Sequence, residues 1–359
     1  MGYDLARALA VFGMVVVNFK IVLGAEQNGP AWLVNMVGLL SGRAAATFVV
    51  LAGIGLSLVT RNALDSSDQK ERIQKRHMFL KRALFLLVAG LAYTPIWPAD
   101  ILHFYGIYIA LATGLLWAST RQLWVWCGVV VFLFPLMLFT LNYDQGWNWE
   151  TLDYAGFWTP AGMIRHLFFN GFHPVVPWIA FLLLGMIIGR QNMGDYSIRR
   201  RVFNWGLGVA IAAESASRLL VYMLVPVINT AEQEDLAAIL GIGPMPPMPL
   251  YMLAGAGTAC VVISASIEFG ERFKNARWLR PFTATGQLAL TLYVAHVIVG
   301  MGILEAIGRL ETDQSLKFAV VTAVGFCAAG VAFAYLWRSR FKQGPVEAFM
   351  KAVCKTTPR

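Results

Sequence analysis

The 359 residues are 58% hydrophobic and only 14% charged, so a water-soluble fold would lack the polar surface needed to cover its apolar side chains. The net charge of +9 does not mark a nucleic-acid-binding protein, because the basic residues are confined to short segments between apolar blocks. Cys127, Cys260 and Cys327 lie inside apolar blocks and Cys354 lies near the C-terminus, so no pair has the placement of a disulfide or the spacing of a zinc site.

Taken in chain order, apolar blocks long enough to cross a hydrocarbon core of about 30 Å fall near Leu5–Leu23, Trp32–Val59, Phe79–Trp97, Leu102–Ala118, Leu123–Leu141, Val175–Gly189, Val202–Val227, Leu250–Ile267, Ala284–Ile307 and Leu316–Trp337. They are continuous and too long for the alternating strands of a barrel, so each must satisfy its own backbone hydrogen bonds as helix. The expected fold is an all-α, polytopic transmembrane bundle of about ten spans, a single domain over residues 1–359. Asn18 and Lys20 interrupt the first block and Leu23-Gly24-Ala25 is a poor cleavage site, so this block reads as an uncleaved helix rather than a secretory signal. Gly185 with Gly189, and the run Ala254-Gly255-Ala256-Gly257, are small-residue surfaces suited to close helix packing.

Direction follows from charge. One side collects 23 of the 29 Lys and Arg, among them Arg61, Lys70, Arg72, Lys75, Arg76, Lys81, Arg82 and Arg199-Arg200-Arg201. That side is expected to be cytoplasmic, with both termini on it. The other side carries Glu26, Asp100, Asp144, Glu150, Asp153, Glu232, Glu234, Asp235, Glu311 and Asp313, and the two long loops Asn142–Pro174 and Asn229–Pro249, where a site could be built.

Ionisable residues inside a bilayer are costly and are functional candidates by default. Glu214 and Arg218, four apart, read either as an internal ion pair or as part of a pathway, and His296 either as a hydrogen-bonded core imidazole or as a channel-lining group. Asp4 and Arg7 read as an anchor at the inner end of the first helix. In Pro98-Ala-Asp100-Ile-Leu-His103-Phe-Tyr105 the acid and the imidazole share a helix face, which suits an oriented general base; equally, Asp100 could cap the helix with His103 at the headgroup level. The segment Arg165-His166 to Gly171-Phe-His173-Pro174 adds two more outer histidines, His173 being the rival base. The inner basic residues could grip a phosphorylated ligand, or simply set the topology.

The opening Tyr3-Asp4-Leu5-Ala6-Arg7-Ala8-Leu9-Ala10, continuing to Asn18, resembles the D-x-x-R-G-x-A…N first helix of the multipass acyltransferases related to heparan-alpha-glucosaminide N-acetyltransferase and their bacterial cousins, with Ala8 in place of the usual glycine. Ser41-Gly-Arg43 through Gly53, Asp100-Ile-Leu, Pro174-Val-Val-Pro177-Trp178, Gly286-Gln-Leu-Ala-Leu-Thr291-Leu-Tyr293 and Gly344-Pro345-Val-Glu347 extend the resemblance in order over most of the chain. It implies transfer of an acetyl or other acyl group from cytosolic acetyl-CoA or another acyl-CoA to a glycan or envelope acceptor across a bacterial cytoplasmic (inner) membrane. The heparan enzymes carry their catalytic histidine in the first outer loop, whereas this chain has Ala25-Glu26-Gln27-Asn28-Gly29-Pro30-Ala31-Trp32, so either the base has moved elsewhere or this branch does not do that chemistry, with Glu26 a candidate substitute acid or base in that loop. The expectation is therefore His103 with Asp100, or His173, at the catalytic end, and Arg43, Arg72, Lys75, Arg76, Lys81 and Arg82 as donor-binding residues. The partners are the lipid bilayer, acyl-CoA and the acceptor, with no nucleic acid and no metal; a homodimer is left open. The alternative is a small-molecule or envelope-precursor transporter on the same scaffold, with Glu214, Arg218, His296 and Glu305 lining a pathway.

Overall fold

In lipid, helix is the local structure that leaves no backbone donor or acceptor unpaired along an apolar segment. The computed structural model describes residues 1–65, 68–149, 151–227, 232–310 and 312–354, and these are helical apart from connections and one two-residue ladder, β1 (Trp147–Asn148) against β2 (Asp153–Tyr154). Glu150, Glu311 and the start of the Asn229–Pro249 loop lie outside the described residues. The fold is all-α and polytopic, as the composition predicts.

The helices are α1 (Gly2–Val22), α2 (Ala31–Gly38), α3 (Arg43–Asp65), α4 (Gln69–Tyr93), α5 (Leu102–Ala112), α6 (Thr120–Thr140), α7 (Pro160–Arg165), α8 (Val175–Gly189), α9 (Tyr196–Leu224), α10 (Gln233–Leu240), α11 (Pro249–Arg272), α12 (Arg280–Gln287), α13 (Ala289–Ala295), α14 (Gly302–Ala306), α15 (Leu316–Arg340) and α16 (Pro345–Val353). Their starts follow ordinary capping chemistry: Asp68, Ser119, Asp195 and Ser315 accept the first free N–H groups of α4, α6, α9 and α15. Asp195, fully exposed, is held below the usual carboxylate range by hydrogen bonds from the Ser197 hydroxyl and backbone.

Among the described residues, seven helical segments are long and apolar enough to span a membrane, and Pro160–Asn170 with Val175–Gly189, bent by 52°, makes an eighth if the pair is counted as one span. The other two expected spans are helical but atypical. The first part of α4 is too charged for it to qualify, and α5 is only a short apolar helix of eleven residues. α5 is packed inside the bundle, so its backbone faces protein rather than lipid, whereas α4 buries one face through Phe79, Ala83, Leu86, Gly90 and Tyr93 and exposes Leu84 and Val88 on the other.

Several expected spans are broken in ways hydropathy does not reveal. The second is divided at residues 39–42 between α2 and α3, and the ninth is divided at Leu288 between α12 and α13. Two π-helical turns, His166–Asn170 and His296–Met301, each begin at a histidine. Such wide turns are frequent at functional positions.

One apolar core runs through α1, α3, α4, α5, α8, α11, α13 and α15. One of its close seams is α3 on α8. A Cβ on Gly53 would stand 1.9 Å from the Leu182 carbonyl oxygen, and one on Gly185 would stand 2.0 Å from that of Val50, so neither position admits a side chain.

Candidate active site

Two cavities lie at opposite ends of the same helices. The acidic-end cavity, about 660 Å³, is walled by the C-terminal part of α1, the start of α3, Ile101 before α5 and Tyr293 of α13, and is roofed by Trp149, Leu152, Phe172 and His173 of the long loop. Lys20 on its wall meets Glu26 at 3.6 Å and Ser41 at 3.5 Å. The basic-end cavity, about 510 Å³, is largely apolar, with Phe48, Leu51, Leu56, Leu102, Tyr105 and Ile109 inside and Asp4, Arg7, Arg82, Gln287 and Glu347 as its polar groups.

The partition between them is thin. Ile101 lines one cavity and Leu102 the other; Ala45 and Phe48 divide in the same way, as do Tyr293 and Leu290. Three residues along a helix are about 4.5 Å, so the cavities approach within roughly one helical turn.

At this partition the structure brings Asp100 and His103 together. The His103 ring Nδ1 lies 3.0 Å from Asp100 Oδ2, the same oxygen accepts the His103 backbone N–H at 3.2 Å, and the other oxygen accepts the Tyr293 hydroxyl at 3.2 Å. Asp100 thus serves both as backbone cap and as partner of the imidazole. A glycine makes this possible: a Cβ at Gly90 of α4 would lie 2.2 Å from the His103 nitrogen.

The placement of His103 corrects the expectation that it meets an acceptor directly. It is completely buried, borders neither cavity, and its Nε2 has no partner among the described residues. Phe104 and His166 cover it, with ring centroids at 4.1 and 5.9 Å. His173, by contrast, borders the acidic-end cavity, its ring braced edge-on by Trp178 at 4.7 Å and its carbonyl held by the Tyr108 hydroxyl. The loop above is fastened by Asn170, whose amide donates to the carbonyls of Tyr143 and Gln145 at 2.7 and 3.0 Å and accepts from the Tyr154 hydroxyl at 2.8 Å.

The proposed donor-binding residues do not assemble as a set. Arg43 stands at the acidic end, buried and ion-paired to Glu214 of α9, with a further contact to the Leu39 carbonyl at 3.5 Å, and it borders neither cavity. Arg72 lies over the Trp117 ring at 5.9 Å. Arg76 and Lys81 are exposed and Lys75 is half-buried on the early turns of α4; of the six only Arg82 borders the basic-end cavity. Arg7, read from sequence as an anchor, supplies the second guanidinium there, with Asp4 at 2.6 Å.

The transporter pathway is not assembled either. Glu214 is taken by Arg43, Arg218 is 81% exposed with Glu214 at 4.0 Å, and Glu305 is exposed. His296 is buried, with Nε2 receiving the Asn18 amide at 2.9 Å and Nδ1 facing the Tyr293 carbonyl, which makes it a neutral imidazole protonated at Nδ1. Among the described residues, no group of three or more His, Cys, Asp or Glu could hold a metal ion.

A family model described as heparan-alpha-glucosaminide N-acetyltransferase, catalytic, matches residues 2–227, which carry α1 to α9 and most of both cavities. A second, described as a protein of unknown function (DUF418), matches residues 198–356. No curated protein matches the chain. With more than half of its length matched, the chain belongs to the heparan-alpha-glucosaminide N-acetyltransferase catalytic family, a family of membrane acetyltransferases.

Proposed function

We propose that this protein transfers an acetyl or other acyl group from acyl-CoA, entering at the basic end, to an amine or hydroxyl of a glycan or envelope component held at the acidic end. The observation that carries the reading is the pair of cavities separated by about one helical turn. A donor thioester in one and an acceptor in the other would have to close only that gap. On this reading the membrane is a bacterial inner membrane, and the positive-inside asymmetry favours a cytoplasmic basic end, on the side of the acyl-CoA pool.

The apolar slot suits the pantetheine arm and acyl chain, while Arg7 and Arg82 suit the phosphates. His173 is the accessible imidazole on the acceptor side and takes the acceptor proton as the nucleophile attacks the thioester carbonyl, with CoA leaving as the thiolate. Asp100 and His103 brace the partition behind it. Calorimetry with purified protein and acetyl-CoA tests the donor half: binding should weaken about tenfold or more in Arg7→Gln and Arg82→Gln, since charge-assisted bonds to phosphate contribute on that scale. A folded protein that binds no acetyl-CoA at millimolar concentration removes the enzyme reading.

A further inference from the structure

A separate groove lies at the basic end between α9 and α11. Its volume is about 620 Å³, and Arg199, Arg200, Phe203, Ser264, Glu268 and Arg272 are among its walls. It continues past Arg200 and Asn204 into a shallower hollow of about 480 Å³ that reaches Arg201 and Trp205. None of these residues borders either cavity of the candidate active site.

The charges here are unbalanced. Arg199 is buried and internally satisfied: its Nε and Nη2 donate to Glu268 at 2.9 and 2.6 Å, and its Nη1 donates to the carbonyls of Met193 and Gly194 at 3.0 and 3.2 Å. That pair consumes the groove's carboxylate. Arg200, Arg201 and Arg272 then have no ion-pair partner among the described residues, although Arg200 and Arg272 face one groove. On the floor, Ser264 is 1% exposed and its hydroxyl has no hydrogen-bond partner among the described residues. The positive-inside rule accounts for arginines at this end, but it does not call for their convergence over a buried unpaired hydroxyl.

The surroundings indicate where the missing anion comes from. Only one face of α9 is packed, with Gly206 against α11, and most of the rest of its apolar length is exposed, so the groove opens on a flank that faces lipid. Trp205 is 71% exposed beside it, and Tyr196 and Phe269 are exposed at its rim, the pattern of aromatic side chains at a headgroup boundary. We propose that this groove binds an anionic phospholipid, its phosphate on Arg200 and Arg272 with the Ser264 hydroxyl donating to it, and one acyl chain along Phe203 and Trp205. Guanidinium groups pair with phosphate in this geometry, and basic side chains near a membrane surface favour anionic over zwitterionic lipid.

Native mass spectrometry of the full-length protein in detergent decides it, titrating phosphatidylglycerol and phosphatidylcholine of identical chains. Phosphatidylglycerol should be retained several-fold better, and that preference should fall to the phosphatidylcholine level in Arg200→Gln/Arg272→Gln. Both substitutions are at exposed positions, so melting temperature and acetyl-CoA binding should stay as in the wild type. Ser264→Ala should weaken retention without erasing the preference. Equal retention of the two lipids, or an unchanged preference in the double variant, overturns the proposal. Displacement of phosphatidylglycerol by millimolar inorganic phosphate would overturn it in favour of a soluble phosphate ligand.

Discussion

Asn18 of α1 donates its amide to His296 Nε2 at 2.9 Å, joining the first span to the π-helical turn of the ninth beside the acidic-end cavity. This contact fixes which imidazole nitrogen carries the proton, because the nitrogen that accepts from Asn18 leaves Nδ1 to donate to Tyr293. It also couples the cavity wall to Tyr293, whose hydroxyl donates to Asp100.

Asn18→Ala leaves a fully buried imidazole nitrogen without a donor. The expected cost is about 1–3 kcal/mol of stability, read as a lower melting temperature in detergent, together with reduced acyl transfer because Tyr293 loses its brace. Unchanged stability and transfer would show that the contact contributes nothing.

Arg43 and Glu214 form the second cross-bundle pair, and here direction of effect is diagnostic. Breaking a buried ion pair by removing one partner strands the other charge and costs about 3–5 kcal/mol, whereas replacing both by apolar groups is often neutral or better. Arg43→Met alone should therefore destabilise strongly, and Arg43→Met/Glu214→Leu should recover most of the loss. Acetyl-CoA affinity should be unaffected in the double variant, since Arg43 lies at the other end from the proposed donor slot. A tenfold loss of donor binding in that variant would restore Arg43 as a donor contact.

Hydropathy located the spans because a bilayer imposes one length and one polarity on each of them. The break at residues 39–42 carries Ser41-Gly42 ahead of Arg43, and the one at Leu288 follows Thr285-Gly286-Gln287, short interruptions that an average over a whole span smooths away. The Asp100–His103 pair was legible because three-residue spacing places side chains together on any helix. Its burial was not, since His103 is covered by His166 and by the fold of a loop more than forty residues further on. The partner of Arg43 lies 171 residues away, beyond anything local spacing can suggest, whereas the local pairing of Glu214 with Arg218 is present at 4.0 Å with Arg218 on the exposed side.

The break at Leu288 has a specific clasp. Glu347 of α16 accepts the backbone N–H groups of Leu290 and Thr291 at 2.9 and 3.0 Å, together with the Thr291 hydroxyl. These are free donors at the start of a helix, where a carboxylate is favoured by both hydrogen bonding and the helix dipole. Glu347→Gln, which keeps one acceptor and loses the charge, should lower stability by about 1–2 kcal/mol. Glu347→Ala should cost more. Proteolysis and melting in detergent measure both, and a variant as stable as wild type would mean that α16 does not hold the break.

Topology is testable independently of chemistry. A cysteine introduced at Asn148, exposed beside the β1–β2 turn, should react with a membrane-impermeant maleimide applied from outside, and one at Gln69, exposed at the start of α4, should not. The reverse pattern would invert the orientation and move the proposed donor entry to the outer face.

The choice of base separates what the sequence spacing suggested from what the geometry supports. His173 borders the acceptor-side cavity, although its Nδ1 is itself buried and without a partner among the described residues, whereas His103 is sealed behind Phe104 and His166 and borders neither cavity. Proton transfer requires hydrogen-bond reach of the acceptor, so accessibility ranks ahead of the Asp100 partnership. His173→Ala should lower turnover by about a hundredfold or more with donor affinity intact, the size typical of a lost general base. His103→Ala should act mainly on stability, because Asp100 keeps the Tyr293 hydroxyl and the backbone N–H of residue 103 but loses the imidazole. If His103→Ala abolishes transfer in a protein that still binds acetyl-CoA while His173→Ala turns over normally, the base is His103, and the partition must open to admit the acceptor to it.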